Sequence, residues 1–277
     1  MMQSIEVLEG VSGRYLAAGA DGSPVLLVHC SSGSHRQWSA LMDGLSVRHR
    51  LFAPDLIGYG ESDRWPVGRQ FNPYVDVDLV LALMRRVGRP MHVVAHSYGA
   101  TVALEAARGA PDLVRSMTLV EPVTFQVLRA AGRTAEWRQA VGVARRVRDA
   151  VAAGRPRRAA AAYMSYWIGP LRWLLMPRRQ REGIVRTVDK VAHEFGAIER
   201  LSISAAQYAE LIAPVRLIVG ERSPLAARGV TELLSRSLPL VDVVRLDAGH
   251  MSPFTHRDLV NGLVEGHIEA VERLAAA

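Results

Sequence analysis

Met91–Gly109, reading MHVVAHSYGATVALEAARG, constrains this chain more than any other stretch. Met91 to Ala95 is mostly apolar and carries two β-branched residues, as a strand buried on both faces requires. From Gly99 onward, Ala100, Val102, Ala103, Leu104 and Ala107 recur along one face of a helix. The two patterns are separated only by the corner at His96-Ser97-Tyr98. A strand that turns at once into a helix holds the corner side chain, Ser97, in a strained conformation clear of the sheet. Ala95 and Gly99, two before and two after it, are small enough for strand and helix to pack closely there. The amide of Tyr98 falls at the helix N-terminus, where backbone N–H groups lack partners and the dipole favours an anion. A serine hydroxyl beside such a donor is half of an acyl-transfer site.

The rest of the chain alternates in the same way. Ile5 to Gly19 reads as one or two edge strands, Pro24–His29 as a short buried strand, and Trp38 to Leu45 as a helix. Arg50–Asp55 is the next strand, followed by a glycine-rich loop, LIGYGESD, to Asp63. A helix over Asp76–Val87 leads into the Met91 strand, and Ser116–Glu121 follows as another strand, closed by Pro122. From Val123 to Ala206 strand-like runs vanish, and Gly154-Arg-Pro and Gly169-Pro divide the stretch into several helices. Strands resume at Pro214–Gly220 and Val241–Asp247, with helices at Leu225–Ser237 and Asp258–Ala275. Strands alternating with helices predict a doubly wound, mostly parallel α/β sheet.

Ala95-His-Ser97-Tyr-Gly99 resembles the G-x-S-x-G nucleophile elbow of the α/β-hydrolase family, with alanine for the first glycine. Three further motifs carry the resemblance. Leu246-Asp-Ala-Gly-His250 is similar to the family's G-H motif bearing the catalytic histidine, His29-Cys30-Ser31 to its H-G-x oxyanion loop, and the loop from Asp55 to Asp63 to its P-D-x-x-G-x-G-x-S scaffold. The resemblance implies an eight-stranded hydrolase core of residues 1–122 and 207–277, with residues 123–206 a helical cap inserted after the sixth strand. It implies Ser97 as nucleophile, His250 as base, and the amides of Ser31 and Tyr98 as oxyanion hole. The turn after the seventh strand, Gly220-Glu-Arg-Ser223, has serine where the family usually places the acid. Some relatives carry the acid after the sixth strand instead, so Glu121 is expected to orient His250, with Glu221 and Asp247 as fallbacks. Haloalkane dehalogenase and epoxide hydrolase chemistry is disfavoured, because those relatives need Asp at the elbow. His96, before the nucleophile, is expected to be a packed residue.

The net charge of +7 is uneven. Val123–Arg200 holds 15 Arg and Lys190, the only lysine of the chain, against six acids. That segment suits a solvated helical face, or an acidic carrier or coenzyme A thioester. No nucleic-acid motif accompanies the charge. Cys30, Trp38, Phe125, Tyr163 and Trp167 are candidates to line a substrate pocket. Cys30 is the single cysteine, which excludes an internal disulfide and fits a reducing cytoplasm. No signal peptide or membrane span is expected, and neither a metal nor another cofactor, for want of ligand spacing or a dinucleotide fingerprint. The expectation is a serine hydrolase for a small ester, thioester or lactone. A carbon–carbon bond hydrolase or perhydrolase would share the triad, and a non-catalytic binding protein is the alternative that serine at the acid position favours. Oligomeric state stays open.

Overall fold

The computed structural model describes residues 1–66 and 68–276. Eight strands form one sheet: β1 (Met2–Leu8), β2 (Val11–Gly19), β3 (Pro24–Val28), β4 (Arg50–Asp55), β5 (Met91–His96), β6 (Val114–Val120), β7 (Val215–Gly220) and β8 (Val241–Leu246). Their spatial order is β1-β2-β4-β3-β5-β6-β7-β8. Only the β1–β2 and β2–β4 pairs are antiparallel, and the remaining pairs are parallel. The central strands read as near-continuous apolar runs because helices cover both faces. Every residue of β3 and β5 is buried.

The helices between the first six strands are α1 (Ser39–Leu45), α2 (Val75–Val87) and α3 (Tyr98–Gly109). Between β6 and β7 lie α4 (Gln126–Ala130), α5 (Thr134–Ala152), α6 (Pro156–Ile168), α7 (Pro170–Leu175), α8 (Arg178–Val185) and α9 (Val188–Arg200). The chain ends with α10 (Leu225–Ser237), α11 (Ser252–Thr255) and α12 (Arg257–Ala276). The two Gly/Pro signals fall where expected. Pro156 opens α6 and Pro170 opens α7, each at a first helical position, where its missing N–H costs nothing.

Two apolar layers flank the sheet. One packs α2, α3 and α10 against it and continues into the helices between β6 and β7, through residues such as Phe125, Tyr163 and Phe195. The other packs Trp38, Leu41 and Leu45 against Val260, Val264 and Ile268 of α12. Trp38 therefore lies in the core on the far side of the sheet.

The parallel strands point their C-terminal ends the same way, so the loops after β3, β5, β6, β7 and β8 converge. Among the described residues, non-glycine residues with positive φ are Ser32, Ser97 and Glu121, all in those loops. Such conformations persist only where surrounding structure enforces them, and they concentrate at functional sites.

Candidate active site

At the end of β5 the backbone turns through Ser97 at φ 58°, ψ −122°, and α3 starts at Tyr98. The glycine two residues on is required. A Cβ on Gly99 would sit 2.3 Å from the carbonyl oxygen of His29. This close approach brings the loop after β3 against the start of α3.

Ser97 Oγ lies 2.9 Å from Nε2 of His250, in the loop after β8. Nδ1 of the same ring lies 3.1 Å from Oε2 of Glu121, the residue after β6. A carboxylate only accepts, so Nδ1 carries the proton and Nε2 presents its lone pair to the Ser97 hydroxyl. Oε1 of Glu121 accepts from the amide of Gly220 at 2.5 Å and from the hydroxyl of Ser223 at 2.7 Å. Ser97, Glu121 and His250 are all buried. The serine at the usual acid position thus contacts the displaced carboxylate and helps fix which oxygen faces the histidine. The fallback acids point elsewhere: Asp247 is exposed and paired with Arg222, and Glu221 is exposed in the turn after β7.

The amides of Ser31 and Tyr98 make no hydrogen bond among the described residues. Replacing the family glycine by Cys30 leaves the loop after β3 tightly held. His29 Nδ1–H donates to the carbonyl of Cys30 at 2.7 Å, and its Nε2 accepts from the amide of Leu56 at 2.9 Å. Burial lowers the His29 pKa, in keeping with a neutral ring in that role. The Cys30 amide donates to Gln37 Oε1 at 3.0 Å, and the Gln37 amide group donates to His96 Nδ1 at 3.1 Å. His96 Nε2–H in turn donates to the carbonyl of His250 at 3.0 Å. His96 is more than packing: with Gln37 it ties the loop carrying Ser31 to the loop carrying His250. Burial, with His250 adjacent, holds its pKa well below the usual histidine range.

A narrow cavity of about 10 Å³, room for little more than one water, lies at Ser97. Val123, Phe125, Tyr163, Trp167, Phe195 and Ile198 supply its apolar wall, and Ser31 and Glu194 its polar part. Phe125, Tyr163 and Trp167 are among the lining residues. Trp38 is not, because it packs on the opposite face of the sheet. Cys30 is also outside the lining. Its thiol is buried, and desolvation together with the nearby Glu194 carboxylate pushes its pKa up to about 12, which leaves it a poor nucleophile. Trp167 lies flat on the His250 ring, with centroids 3.6 Å apart and planes 18° from parallel. It also borders an outer groove that includes Arg172, Arg222 and His256, so its indole separates the inner cavity from that groove.

Glu194 and Lys190, both on α9, are site residues that the sequence pattern does not single out. Lys190 Nζ is 2.5 Å from Asp76 Oδ2 and 3.4 Å from Glu194 Oε1, and all three side chains are buried. Its Nζ also lies 5.2–5.6 Å from the ring centroids of Tyr59, Phe71 and Tyr98. The available signal is that the single lysine among 34 basic residues falls in an otherwise arginine-bearing segment. A Lys/Glu pair at i, i+4 reads by default as a solvated surface pair. No group of three or more His, Cys, Asp or Glu side chains among the described residues is arranged to hold a metal ion.

Comparison with known proteins agrees with the architecture. Residues 23–257 match the alpha/beta hydrolase fold family, and the chain belongs to it. A dihydrolipoyllysine-residue acetyltransferase component of an acetoin cleaving system from Cupriavidus necator is 33% identical over 119 residues, 43% of this chain and 31% of that protein. A pimeloyl-[acyl-carrier protein] methyl ester esterase from Methylococcus capsulatus is 36% identical over 109 residues, 39% of this chain and 40% of that one. The matched regions thus span less than half the length of these curated relatives. A hydrolase of known structure from Pseudomonas aeruginosa superposes with a TM-score of 0.80 at 21% identity, covering 96% of this chain and 98% of that one. At that identity the likeness is one of fold.

Proposed function

We propose that this chain is a serine hydrolase that cleaves a small ester, thioester or lactone through an acyl-enzyme on Ser97. One observation carries the reading: a continuous hydrogen-bonded line from Ser97 Oγ through His250 to Glu121, beside two unpaired amides. His250 Nε2 takes the Ser97 proton as Oγ attacks the acyl carbon, and the amides of Ser31 and Tyr98 receive the oxyanion. Glu121 holds the imidazolium, and the flat face of Trp167 excludes water from it and favours its charge. The imidazolium then protonates the leaving oxygen or sulfur as its bond to the acyl carbon breaks. Water, deprotonated by His250, releases the acid and restores Ser97. In this reading the helices of residues 123–206 form a cap over the nucleophile, inserted between a core of residues 1–122 and 207–277. The contact of Glu121 with His250 weighs against a non-catalytic binding protein, because it supplies the carboxylate that Ser223 cannot.

The outer groove supports a second, narrower reading in which the acyl group arrives on an acidic carrier or coenzyme A. Arg172 and Arg222 border it, and Arg155, Arg157, Arg158, Arg178 and Arg179 are exposed on the same set of helices. A relative that acts on a carrier-bound methyl ester agrees with it. Steep loss of thioesterase rate with added salt supports this reading, and salt-independence refutes it.

The proposed chemistry is tested by turnover of short p-nitrophenyl esters by wild type, Ser97→Ala, Glu121→Gln and Ser223→Ala. Loss of roughly 10³-fold or more in the first two variants, with Ser223→Ala retaining most activity, is the expected result. Full activity in Ser97→Ala refutes it.

A further inference from the structure

Glu194 stands out because the buried cation beside it already has a closer partner. Its neighbour Lys190 already has a carboxylate partner in Asp76 at 2.5 Å, with Glu194 the second and more distant acid at 3.4 Å. Asp76 is itself fully engaged, accepting from the amide of Ile57 at 2.8 Å and from the Tyr98 hydroxyl at 2.9 Å. One ammonium thus meets two buried carboxyl groups. A second buried carboxylate is a cost unless it is used, since desolvation outweighs a distant ion pair. Glu194 is also the only carboxyl group among the residues lining the cavity at Ser97. Its Oε2 accepts from the Ser31 hydroxyl at 2.5 Å, on the residue whose amide is the proposed oxyanion donor.

We infer that Glu194 and the Ser31 hydroxyl form a polar subsite that selects acyl groups bearing a hydrogen-bond donor, such as a hydroxyl or amide N–H, over plain alkyl acyl groups of the same length. The inference rests on the serine-hydrolase reading and deepens it by naming the substrate class. The remaining wall of the cavity is aromatic and aliphatic, so an alkyl chain would leave the carboxyl group buried without a substrate partner. A donor on the acyl chain answers the remaining lone pairs of Glu194, or those of the Ser31 oxygen, whose own proton is already given to Glu194. Disfavour of the unsubstituted chain follows from apolar atoms laid against a polar carboxyl group whose remaining acceptor sites they leave unanswered. Burial pushes the Glu194 carboxyl up to about 7, offset in part by Lys190 and by the hydrogen bond from Ser31. Near neutral pH the group therefore serves as acceptor in one form and donor in the other.

Glu194→Leu tests the subsite, because it removes the surplus carboxyl and leaves the Lys190–Asp76 pair intact. The substrates are p-nitrophenyl butyrate against p-nitrophenyl 3-hydroxybutyrate, and p-nitrophenyl pentanoate against the N-acetylglycine ester. Wild type is expected to favour the donor-bearing member of at least one pair by about 10-fold or more in kcat/KM, and Glu194→Leu to abolish or reverse that preference. The Tm of Glu194→Leu is expected to equal or exceed that of wild type. Wild type that reacts with a fluorophosphonate yet prefers neither member refutes the subsite alone. An unchanged preference in Glu194→Leu refutes it too, and a fall in Tm refutes the claim that the carboxyl is structurally surplus. Wild type that resists the fluorophosphonate refutes the serine-hydrolase reading, and the subsite falls with it.

Discussion

Replacing Glu121 by Gln changes one atom in the proposed triad, and the structure dictates which way the new amide must face. Two donors, the Gly220 amide and the Ser223 hydroxyl, converge on Oε1. In Glu121→Gln the side-chain amide oxygen must occupy that position, because an NH₂ there would meet an N–H head-on. The NH₂ then faces Nδ1 of His250, which becomes an acceptor, and the ring proton moves to Nε2. Nε2–H points at Ser97 Oγ and has no lone pair to take the hydroxyl proton. The same carboxylate-to-amide change in a serine-protease triad leaves geometry intact and lowers kcat by about 10⁴. An equal loss is expected here, about 5 kcal/mol of transition-state stabilisation. Fold should survive, since glutamine fills the same volume and keeps both bonds on the Oε1 side. The assay is kcat/KM on a p-nitrophenyl ester at neutral pH, with circular dichroism to verify folding. A folded Glu121→Gln variant that loses less than about 10-fold refutes the assignment of Glu121 as the orienting acid.

Four other outcomes follow from the same geometry. Lys190→Met leaves Asp76 and Glu194 buried without a cation, and urea denaturation should report a loss of about 3–5 kcal/mol; a loss below about 1 kcal/mol contradicts the buried placement. The Glu194 pKa near 7 lies above its unfolded value, so the folded state holds the extra proton and wild-type stability falls as pH rises from about 4.5 to 7. Relative to Glu194→Leu that fall should approach at most about 1.4 kcal/mol per pH unit, and parallel pH profiles of the two proteins count against it. Cys30, buried with a thiol pushed to about 12, should resist Ellman's reagent at about pH 8 until urea unfolds the chain; rapid labelling of the native protein is the opposing result. Trp167→Ala joins the inner cavity to the outer groove, so octanoate esters should gain at least several-fold on acetate esters, and an unchanged chain-length profile shows the indole is no partition.

The parts of this molecule legible in its sequence are those that local pattern determines. The strand-corner-helix at Ser97 is written in consecutive residues, and the glycine at Gly99 is demanded by the close approach of the His29 carbonyl. The order of strands and helices follows from alternation of period, which is why α10 falls where Leu225–Ser237 is read. Glu121 can be singled out because it ends a strand bound to run beside β5. Residues whose placement depends on which side of the sheet a chain crosses are not readable in this way. Trp38 follows the β3 loop and could have faced the nucleophile, yet the turn that leads into α1 places it on the α12 side. Lys190 and Glu194 share the spacing of a surface ion pair, and only the docking of α9 over Asp76 and Ser31 makes them interior. The Gln37–His96 bridge joins the connection after β3, the end of β5 and the loop after β8, so no local pattern announces it.

The central claim is that Ser97 is an activated nucleophile, and covalent trapping addresses it without knowledge of the substrate. Native protein is treated with a fluorophosphonate and digested, and the modified peptide is located by mass spectrometry. The account predicts one adduct per chain, on Ser97 within the Met91–Gly109 stretch, with none in Ser97→Ala and slow formation in Glu121→Gln. No adduct on the folded wild type, or an adduct on another residue that persists in Ser97→Ala, contradicts it.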